Sequence, residues 1–322
     1  MILANVGLAF LLAFLSNRFR NTEGWGNFLV ALGFANLLLW GGWRLLRRET
    51  PPRWLFGLLV GAAFLRLALG ALWFVLLPTV GFGSPAERSG YVMADAYNRD
   101  RAAWRAAKSD LPLTKLITGK VYRKVDQYGG LLFFSAAYYR LLNGDAHRPL
   151  LMIVLTSAFS ALAVIFVWGM GKIALGQRVA NTAAWLLALY PEAVLLGSSQ
   201  MREAFILPLV ALSLYGLLRW QHQHRWQGAA LCAVGLLLTY PFSPPSSALV
   251  LFTLLSVLAI GGDASLLRHK RVWTAILIVV ALIAVGIWFS WGRFAPDKYQ
   301  NPFSIAAWWF KISAGLQTHL SI

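Results

Sequence analysis

Two carboxylates, Asp95 and Glu203, are the side chains of this sequence best suited to acid–base chemistry. The 322-residue chain has only 12 Asp and Glu residues, so the place of each one is informative. Asp95 follows a long apolar stretch, and Glu203 stands where another one begins. A carboxylate there can accept a proton from a substrate hydroxyl, if its pKa suits that task. Glu203 can position an acceptor or share a cation with Asp95.

Each carboxylate also has a structural interpretation. Asp is a favoured N-cap, so Asp95 can cap the helix that begins there. Glu203 can complement a helix N-terminus, while Arg202 extends outward to the membrane surface. Alternatively, Arg202 contacts a phosphate. The residues alone leave both interpretations open, and one Asp could do both.

The elements that must position these groups are membrane helices. The chain is 58% hydrophobic and 13% charged, whereas soluble domains are about 45–50% apolar and about 25% charged. Because a span needs about 20 apolar residues, the sequence predicts an all-α, polytopic transmembrane bundle of about nine spans. The predicted spans are 2–16, 27–44, 54–79, 150–171, 179–197, 203–219, 227–241, 245–261 and 273–291.

Charge sets the expected orientation. The net charge of +17 would indicate nucleic acid in a soluble protein, but here most of it lies in alternate short loops, as the positive-inside rule requires. We therefore expect a multi-pass plasma-membrane protein in contact with the lipid bilayer and not with nucleic acid. Its N-terminus is cytoplasmic, and residues 80–149 are extracytoplasmic. The single Cys232 excludes an internal disulfide and offers no metal cluster.

The long loop 80–149 contains two helix-forming stretches, so we expect it to be more than a simple connection. Asp95–Lys108 predicts a surface helix with Tyr97 and Trp104 among several Arg residues, which suits the lipid headgroup layer. The apolar stretch Leu131–Leu142 is too short to span and predicts an interfacial or re-entrant helix. Arg66, in the middle of the third span, is expected to pair with a carboxylate or with backbone carbonyls inside the bundle.

Basic residues are unusually frequent in this loop. A basic cluster beside a membrane attracts phosphate groups, and plain membrane adhesion is the alternative for any single residue. The loop cations are Arg88, Arg99, Arg101, Arg105, Lys108, Lys115, Lys120, Arg123 and Lys124.

Three stretches resemble the GT-C superfamily of membrane glycosyltransferases, which includes protein O-mannosyltransferases and lipid A aminoarabinose transferases (a family 39-like pattern). The first is the loop Asp followed by a Tyr, Asp95-Ala96-Tyr97. The second runs from Asp126-Gln127-Tyr128-Gly129-Gly130 through the short apolar helix to Asn143-Gly144-Asp145. The third runs from Leu150 through Gly176-Gln177-Arg178 and Tyr190-Pro191-Glu192 to Met201-Arg202-Glu203-Ala204.

This resemblance implies an extracytoplasmic active site and a polyprenyl-phosphate-linked sugar as donor. It implies that Asp95 is the general base for an acceptor hydroxyl, in an inverting transfer, with Glu203 as the second acidic residue. The acceptor is an unknown glycan, lipid or protein. Either a divalent cation or basic side chains must stabilise the leaving phosphate. The candidate substrate-binding residues are Tyr97, Arg99, Arg101, Lys124, Arg202 and Arg293.

The resemblance also implies a division of the chain. Residues 1–53 hold two extra N-terminal helices, 54–220 a GT-C-like core, and 221–322 the C-terminal helices and an outer tail. Three alternatives stay open: a lipid-linked oligosaccharide polymerase or ligase, a lipid or solute transporter, and a non-catalytic membrane subunit. A transporter would favour broken helices with polar residues at the bilayer midplane, and only Arg66 clearly lies there.

Overall fold

The fold is all-α throughout the part of the chain that the structure, a computed structural model, describes. That part comprises residues 2–261 except 121, 143, 224 and 225, together with 281, 284, 285 and 288. Most of the predicted span 273–291, and Arg293 with the tail 292–322, lie outside the described residues. The helices are α1 (Ile2–Ser16), α2 (Trp25–Leu46), α3 (Arg53–Val80), α4 (Pro85–Arg88), α5 (Ala94–Lys108), α6 (Lys115–Thr118), α7 (Gly130–Leu142), α8 (Leu150–Leu175), α9 (Gln177–Leu189), α10 (Pro191–Gly197), α11 (Glu203–Gln223), α12 (Trp226–Phe242) and α13 (Pro244–Gly261).

Four of the described helices, α2, α3, α8 and α11, are long and apolar enough to cross a membrane. The pair α9 and α10 adds a fifth span if the two are taken together, although they are bent by 54° at the break between them. Helices α1, α12 and the apolar part of α13 are shorter than a usual span. The all-α membrane bundle is therefore confirmed, and the further spans up to nine, like the domain boundaries, stay predictions.

Helix α8 forms the centre of the bundle. It packs against α2, α3, α9 and α11, and most of its side chains are buried inside the protein rather than facing lipid. Helix α2 approaches it closely at Gly42, where a Cβ would lie 2.5 Å from Leu162 Cδ2. Small residues allow membrane helices to approach in this way, because lipid-facing apolar surface provides little drive for association.

Arg66 lies within α3 and is fully buried. Its guanidinium donates hydrogen bonds to Ser160 Oγ at 3.2 Å and to the carbonyl oxygens of Ala62, Ala188 and Leu187 at 2.9, 3.3 and 3.4 Å. Leu187 and Ala188 belong to the last turn of α9, just before the break, where carbonyls lose their helical partners. Arg66 thus joins α3 to the broken span through backbone carbonyls, one of the two partner types expected.

The loop 80–149 folds onto one end of the bundle and holds both predicted short helices. The surface helix expected at 95–108 is α5, and the interfacial helix expected at 131–142 is α7. A stripe of small buried residues on α5, including Ala102, Ala103 and Ala106, packs against α7. Because Ala side chains are short, the two helices can lie close together.

Candidate functional site

The segment before α11 packs against the start of α5. Met201 contacts a buried cluster that includes Tyr91 and Ala96. Glu203 is the first residue of α11, and Asp95 lies in the first turn of α5. Two carboxylates that are 108 positions apart in the sequence therefore belong to neighbouring helix starts.

Both carboxylate side chains are exposed, and neither makes a hydrogen bond to another described residue. Asp95 is not the N-cap of α5, because that position is occupied by Met93, whose side chain makes no capping hydrogen bond. The N-cap interpretation of Asp95 is therefore wrong, although a first-turn carboxylate still interacts favourably with the helix dipole. The same dipole interaction applies to Glu203, so that structural interpretation remains compatible with its position.

Arg99 lies one turn after Asp95 on α5 and is only 4% exposed. Its Nε and Nη1 atoms are buried, and neither has a hydrogen-bond partner among the described residues. Burial lowers the pKa of the Arg99 guanidinium, as does the positive charge of Arg202, while the charges of Asp126, Asp95 and Glu203 act to raise it. Both predicted carboxylates thus fall within the electrostatic range of one buried cation.

Arg202, next to Glu203, packs over the ring of Tyr128, with 5.1 Å between its Cζ and the ring centroid. Burial raises the pKa of the Tyr128 hydroxyl, and the charge of Arg202 opposes that shift. Asp126, two residues earlier, is 1% exposed, and its Oδ2 accepts a hydrogen bond from the Leu132 amide at 2.9 Å in the first turn of α7. Asp126 therefore fixes the start of α7, and its charge acts on Arg99. It was not among the predicted site residues.

Tyr97 and Arg101 lie on another face of α5. With 3.6 residues per turn, positions 97 and 101 project roughly opposite to 95 and 99. Arg101 donates a hydrogen bond to the Tyr97 hydroxyl, and its Cζ lies 5.2 Å from the ring centroid. Both residues line a polar cavity of about 420 Å³, of which Asp95, Arg99 and Glu203 are not lining residues. The predicted site residues thus lie in two separate places. Tyr97 and Arg101 line the cavity, whereas Asp95, Arg99 and Glu203 lie outside it.

One described substrate-binding candidate, Lys124, is not brought to either place. Lys124 is exposed on the turn before α7 and makes no hydrogen bond or ion pair with the other described candidates. Arg293 lies outside the described residues. Their roles stay predictions.

A buried hydrogen-bond network lies behind the cavity and centres on Asp100. This carboxylate accepts hydrogen bonds from the hydroxyls of Tyr91 at 2.5 Å and Tyr139 at 2.7 Å, and its Oδ2 lies 2.7 Å from Nε2 of His147. The imidazole of His147 stacks on Trp104, with 5.6 Å between ring centroids. Apart from the high fraction of carboxylates in the loop, no sequence pattern indicates this network.

Metal ligands are not grouped in the described part of the chain. No set of three or more His, Cys, Asp or Glu side chains there is arranged to hold an ion. Asp95 and Glu203 instead lie within the electrostatic range of the Arg99 guanidinium.

One comparison with known proteins gives a match. The sequence model of the family described as dolichyl-phosphate-mannose-protein mannosyltransferase matches residues 131–291, which is half of the chain. No curated protein and no solved structure matches. The matched stretch begins in α7 and includes Arg202 and Glu203, whereas Asp95 and Arg99 precede it.

Proposed function

Since the chain belongs to the dolichyl-phosphate-mannose-protein mannosyltransferase family and is a membrane glycosyltransferase of the GT-C type, we propose that it uses a polyprenyl-phosphate-linked sugar and transfers that sugar to an acceptor hydroxyl. The reaction takes place where the loop 80–149 meets the start of α11. This end of the bundle is extracytoplasmic, and the membrane is the plasma membrane.

One observation carries the proposal: Arg99 is a buried guanidinium with two unpartnered nitrogen atoms, beside two exposed carboxylates. A buried donor without a partner costs about 1–3 kcal/mol, and more for a charged group. Such a cost is recovered when a ligand supplies the acceptor. A phosphate oxygen suits this role, because a guanidinium can bind phosphate through two parallel hydrogen bonds.

The proposed step is a single displacement at the anomeric carbon. The acceptor oxygen forms the new bond to this carbon, while the bond from the carbon to the phosphate oxygen breaks. Asp95 takes the proton of the acceptor hydroxyl, and polyprenyl phosphate leaves with the bonding electron pair. Attack opposite the leaving group inverts the anomeric centre. Arg99 stabilises the charge that develops on the phosphate.

Arg202 and Glu203 take supporting roles in this proposal. Arg202, held over the Tyr128 ring, adds a second positive charge near the leaving phosphate. Glu203 positions the acceptor from the start of α11. Its place within the electrostatic range of Arg99 supports this role, as does the packing of Met201 on the start of α5.

The test is donor binding and transfer by the full chain in lipid nanodiscs. The probes are a radiolabelled polyprenyl-phosphate mannose and unlabelled polyprenyl phosphate as competitor. We expect Arg99→Gln to weaken competition by polyprenyl phosphate by about tenfold to a hundredfold, the effect of losing one or two charge-assisted hydrogen bonds. Arg99→Lys keeps the charge without the forked geometry. Its affinity for polyprenyl phosphate should therefore lie between those of the unmodified chain and Arg99→Gln.

Arg123→Gln is the matched control, because Arg123 is an exposed cation of the same loop. It should leave both measurements unchanged. The proposal would be abandoned if Arg99→Gln, eluting as a folded monodisperse protein, bound polyprenyl phosphate as tightly as the Arg123→Gln control. Movement of the labelled lipid between leaflets without covalent transfer would favour a transporter instead.

A further inference from the structure

The cavity lined by Tyr97 and Arg101 is a second polar hollow at the loop end of the bundle, with a volume of about 420 Å³. Its walls come from the end of α1, the end of α3, the start of α5 and the residues just before α8. The functional proposal above does not use it. We refer to it below as the α1–α5 cavity.

Two guanidinium groups reach this cavity from separate elements. Arg18, which follows α1, donates one hydrogen bond from Nη2 to the Arg88 carbonyl at 3.2 Å, and its Cζ lies 5.7 Å from the Phe74 ring centroid. Arg101 is held against Tyr97. Each group is oriented by one hydrogen bond and one aromatic ring, and because a guanidinium has five N–H donors, each keeps other donors for a ligand.

The backbone is strained where Arg18 enters the wall. Arg18 and Phe19 have φ angles of 52° and 65°, in the left-handed region that residues other than Gly rarely occupy. Two such residues in succession cost of the order of a few kcal/mol unless their surroundings compensate. This turn brings Arg18 to the cavity. Ser16, two residues earlier and also in the wall, has a buried hydroxyl with no hydrogen-bond partner among the described residues.

A histidine of fixed orientation completes the wall. Nε2 of His147 lies 2.7 Å from the Asp100 carboxylate, whose side chain is fully buried, while the His147 side chain is 24% exposed. Tyr91 and Tyr139 donate to the same carboxylate, so its oxygens are directed inward to three partners. The Asp100 carboxylate behind the wall thus already has three protein partners, and the cavity wall itself presents two guanidinium groups and hydroxyls.

We propose that the α1–α5 cavity is a second, separate ligand site that binds a phosphate group. Arg18 and Arg101 contact it from two sides, and His147 and the Ser16 hydroxyl supply the remaining polar contacts. A tetrahedral anion with several acceptor oxygens satisfies donors that converge from different directions, which a flat carboxylate does less well. The phosphate is carried either by a lipid headgroup at the membrane surface or by a soluble molecule. This proposal does not rest on the proposed transferase activity.

The experiment uses the full chain in phosphatidylcholine nanodiscs. One arm titrates radiolabelled inorganic phosphate by equilibrium dialysis. The other adds phosphatidic acid to the nanodiscs and counts the phosphatidic acid retained by native mass spectrometry. We expect Arg18→Gln and Arg101→Gln each to weaken binding about tenfold, because each removes a charge-assisted contact. The control substitutions Arg20→Gln and Arg105→Gln change exposed cations of the same two segments and should have no effect.

The two arms identify the source of the phosphate. Binding in the dialysis arm supports a soluble ligand, and selective retention of phosphatidic acid alone supports a lipid headgroup. Arg99→Gln must keep the share of the binding that Arg18→Gln and Arg101→Gln lose, which separates this cavity from the donor site. If the Gln variants do not fold, the charge-preserving variants Arg18→Lys and Arg101→Lys are used in their place. Each should bind phosphate more weakly than the unmodified chain, by less than the tenfold expected for Gln. Absence of binding by the unmodified chain in both arms, or equal binding by the cavity variants and their controls, would overturn the proposal.

Discussion

Tyr139 of α7 donates a hydrogen bond to Asp100 of α5, with 2.7 Å between Oη and Oδ1. Asp100 is 1% exposed, and Tyr139 is equally inaccessible at 2%. This contact joins the two short helices of the loop 80–149 at a point where neither end can reach water. A carboxylate buried in this way is stable only if it is fully hydrogen-bonded, so the network fixes how α5 lies on α7.

We expect Tyr139→Phe to lower the free energy of unfolding by about 1–3 kcal/mol, the cost of leaving a buried charged acceptor short of one partner. Burial, and then the charge of Asp100, raise the pKa of the Tyr139 hydroxyl well above its usual value of 10.0. The stability that it contributes should therefore be present below pH 10 and be lost as the pH rises above that value. Denaturant titration in detergent measures both effects. Tyr190→Phe, at a half-exposed tyrosine, is the control, and equal stability of the two variants would contradict the network's role.

Asp95→Asn should reduce sugar transfer by about 10²–10⁴-fold, which is the usual contribution of a positioned general base. Donor affinity should change little, because Asp95 is exposed and is assigned to the acceptor proton rather than to the phosphate. The measurement is transfer from a labelled polyprenyl-phosphate sugar, with kcat and KM determined separately.

Asp110→Asn serves as the matched control, since Asp110 is an exposed carboxylate just beyond the end of α5. Full transfer activity of Asp95→Asn would remove Asp95 from the mechanism. If activity instead depended on Arg99 alone, a lipid-linked oligosaccharide polymerase or ligase would become the better assignment.

The elements of the loop could be predicted from local patterns, but their arrangement could not. Apolar periodicity and Gly boundaries were enough to place α5 and α7 within one residue of their starts. Helix periodicity also implied that Asp95 and Arg99 share a face while Tyr97 and Arg101 take another, so treating all four as one site ignored information in the sequence. The proximity of Glu203 to α5 depends on the packing of Met201, which no local pattern shows.

His147 and Arg18 were missed for a different reason. His147 is a single His in a short connection before α8, and its significance comes only from Asp100, 47 positions earlier. Arg18 lies in a short loop whose charge pattern singles out no residue, and its left-handed backbone directs its side chain to the cavity. Both roles arise from tertiary contacts, which the charge pattern of the chain does not contain.

Gly130→Ala should loosen the contact between α7 and α12. A Cβ on Gly130 would lie 1.9 Å from the carbonyl oxygen of Pro241, closer than any real contact allows, and the neighbouring atom belongs to the backbone and cannot rotate away. Overpacking of this kind costs about 1–3 kcal/mol. Thermal unfolding of the variant in detergent should show a lower Tm.

For comparison, Gly26→Ala introduces a Cβ into α2 where no atom lies within 4 Å. It should leave the Tm unchanged or raise it slightly, because Ala has a higher helix propensity than Gly. A Gly130→Ala variant as stable as Gly26→Ala would mean that α7 does not lie against α12 as the structure has it.

Arg66→Gln should destabilise the bundle without altering donor binding. The substitution removes donors from the Ala188 and Leu187 carbonyls at the end of α9, where the bend of 54° leaves few other partners. Hydrogen bonds to charged groups contribute about 1.5–3 kcal/mol each, so we expect a loss of about 2 kcal/mol or more in the free energy of unfolding. Arg53→Gln, at an exposed cation that begins the same helix, is the control. Because Arg66 contacts α3, α8 and α9 and none of the proposed site residues, the affinity for polyprenyl phosphate should be the same in both folded variants. A loss of that affinity with unchanged stability would show instead that Arg66 is a substrate contact, and would place the donor site deeper in the bundle.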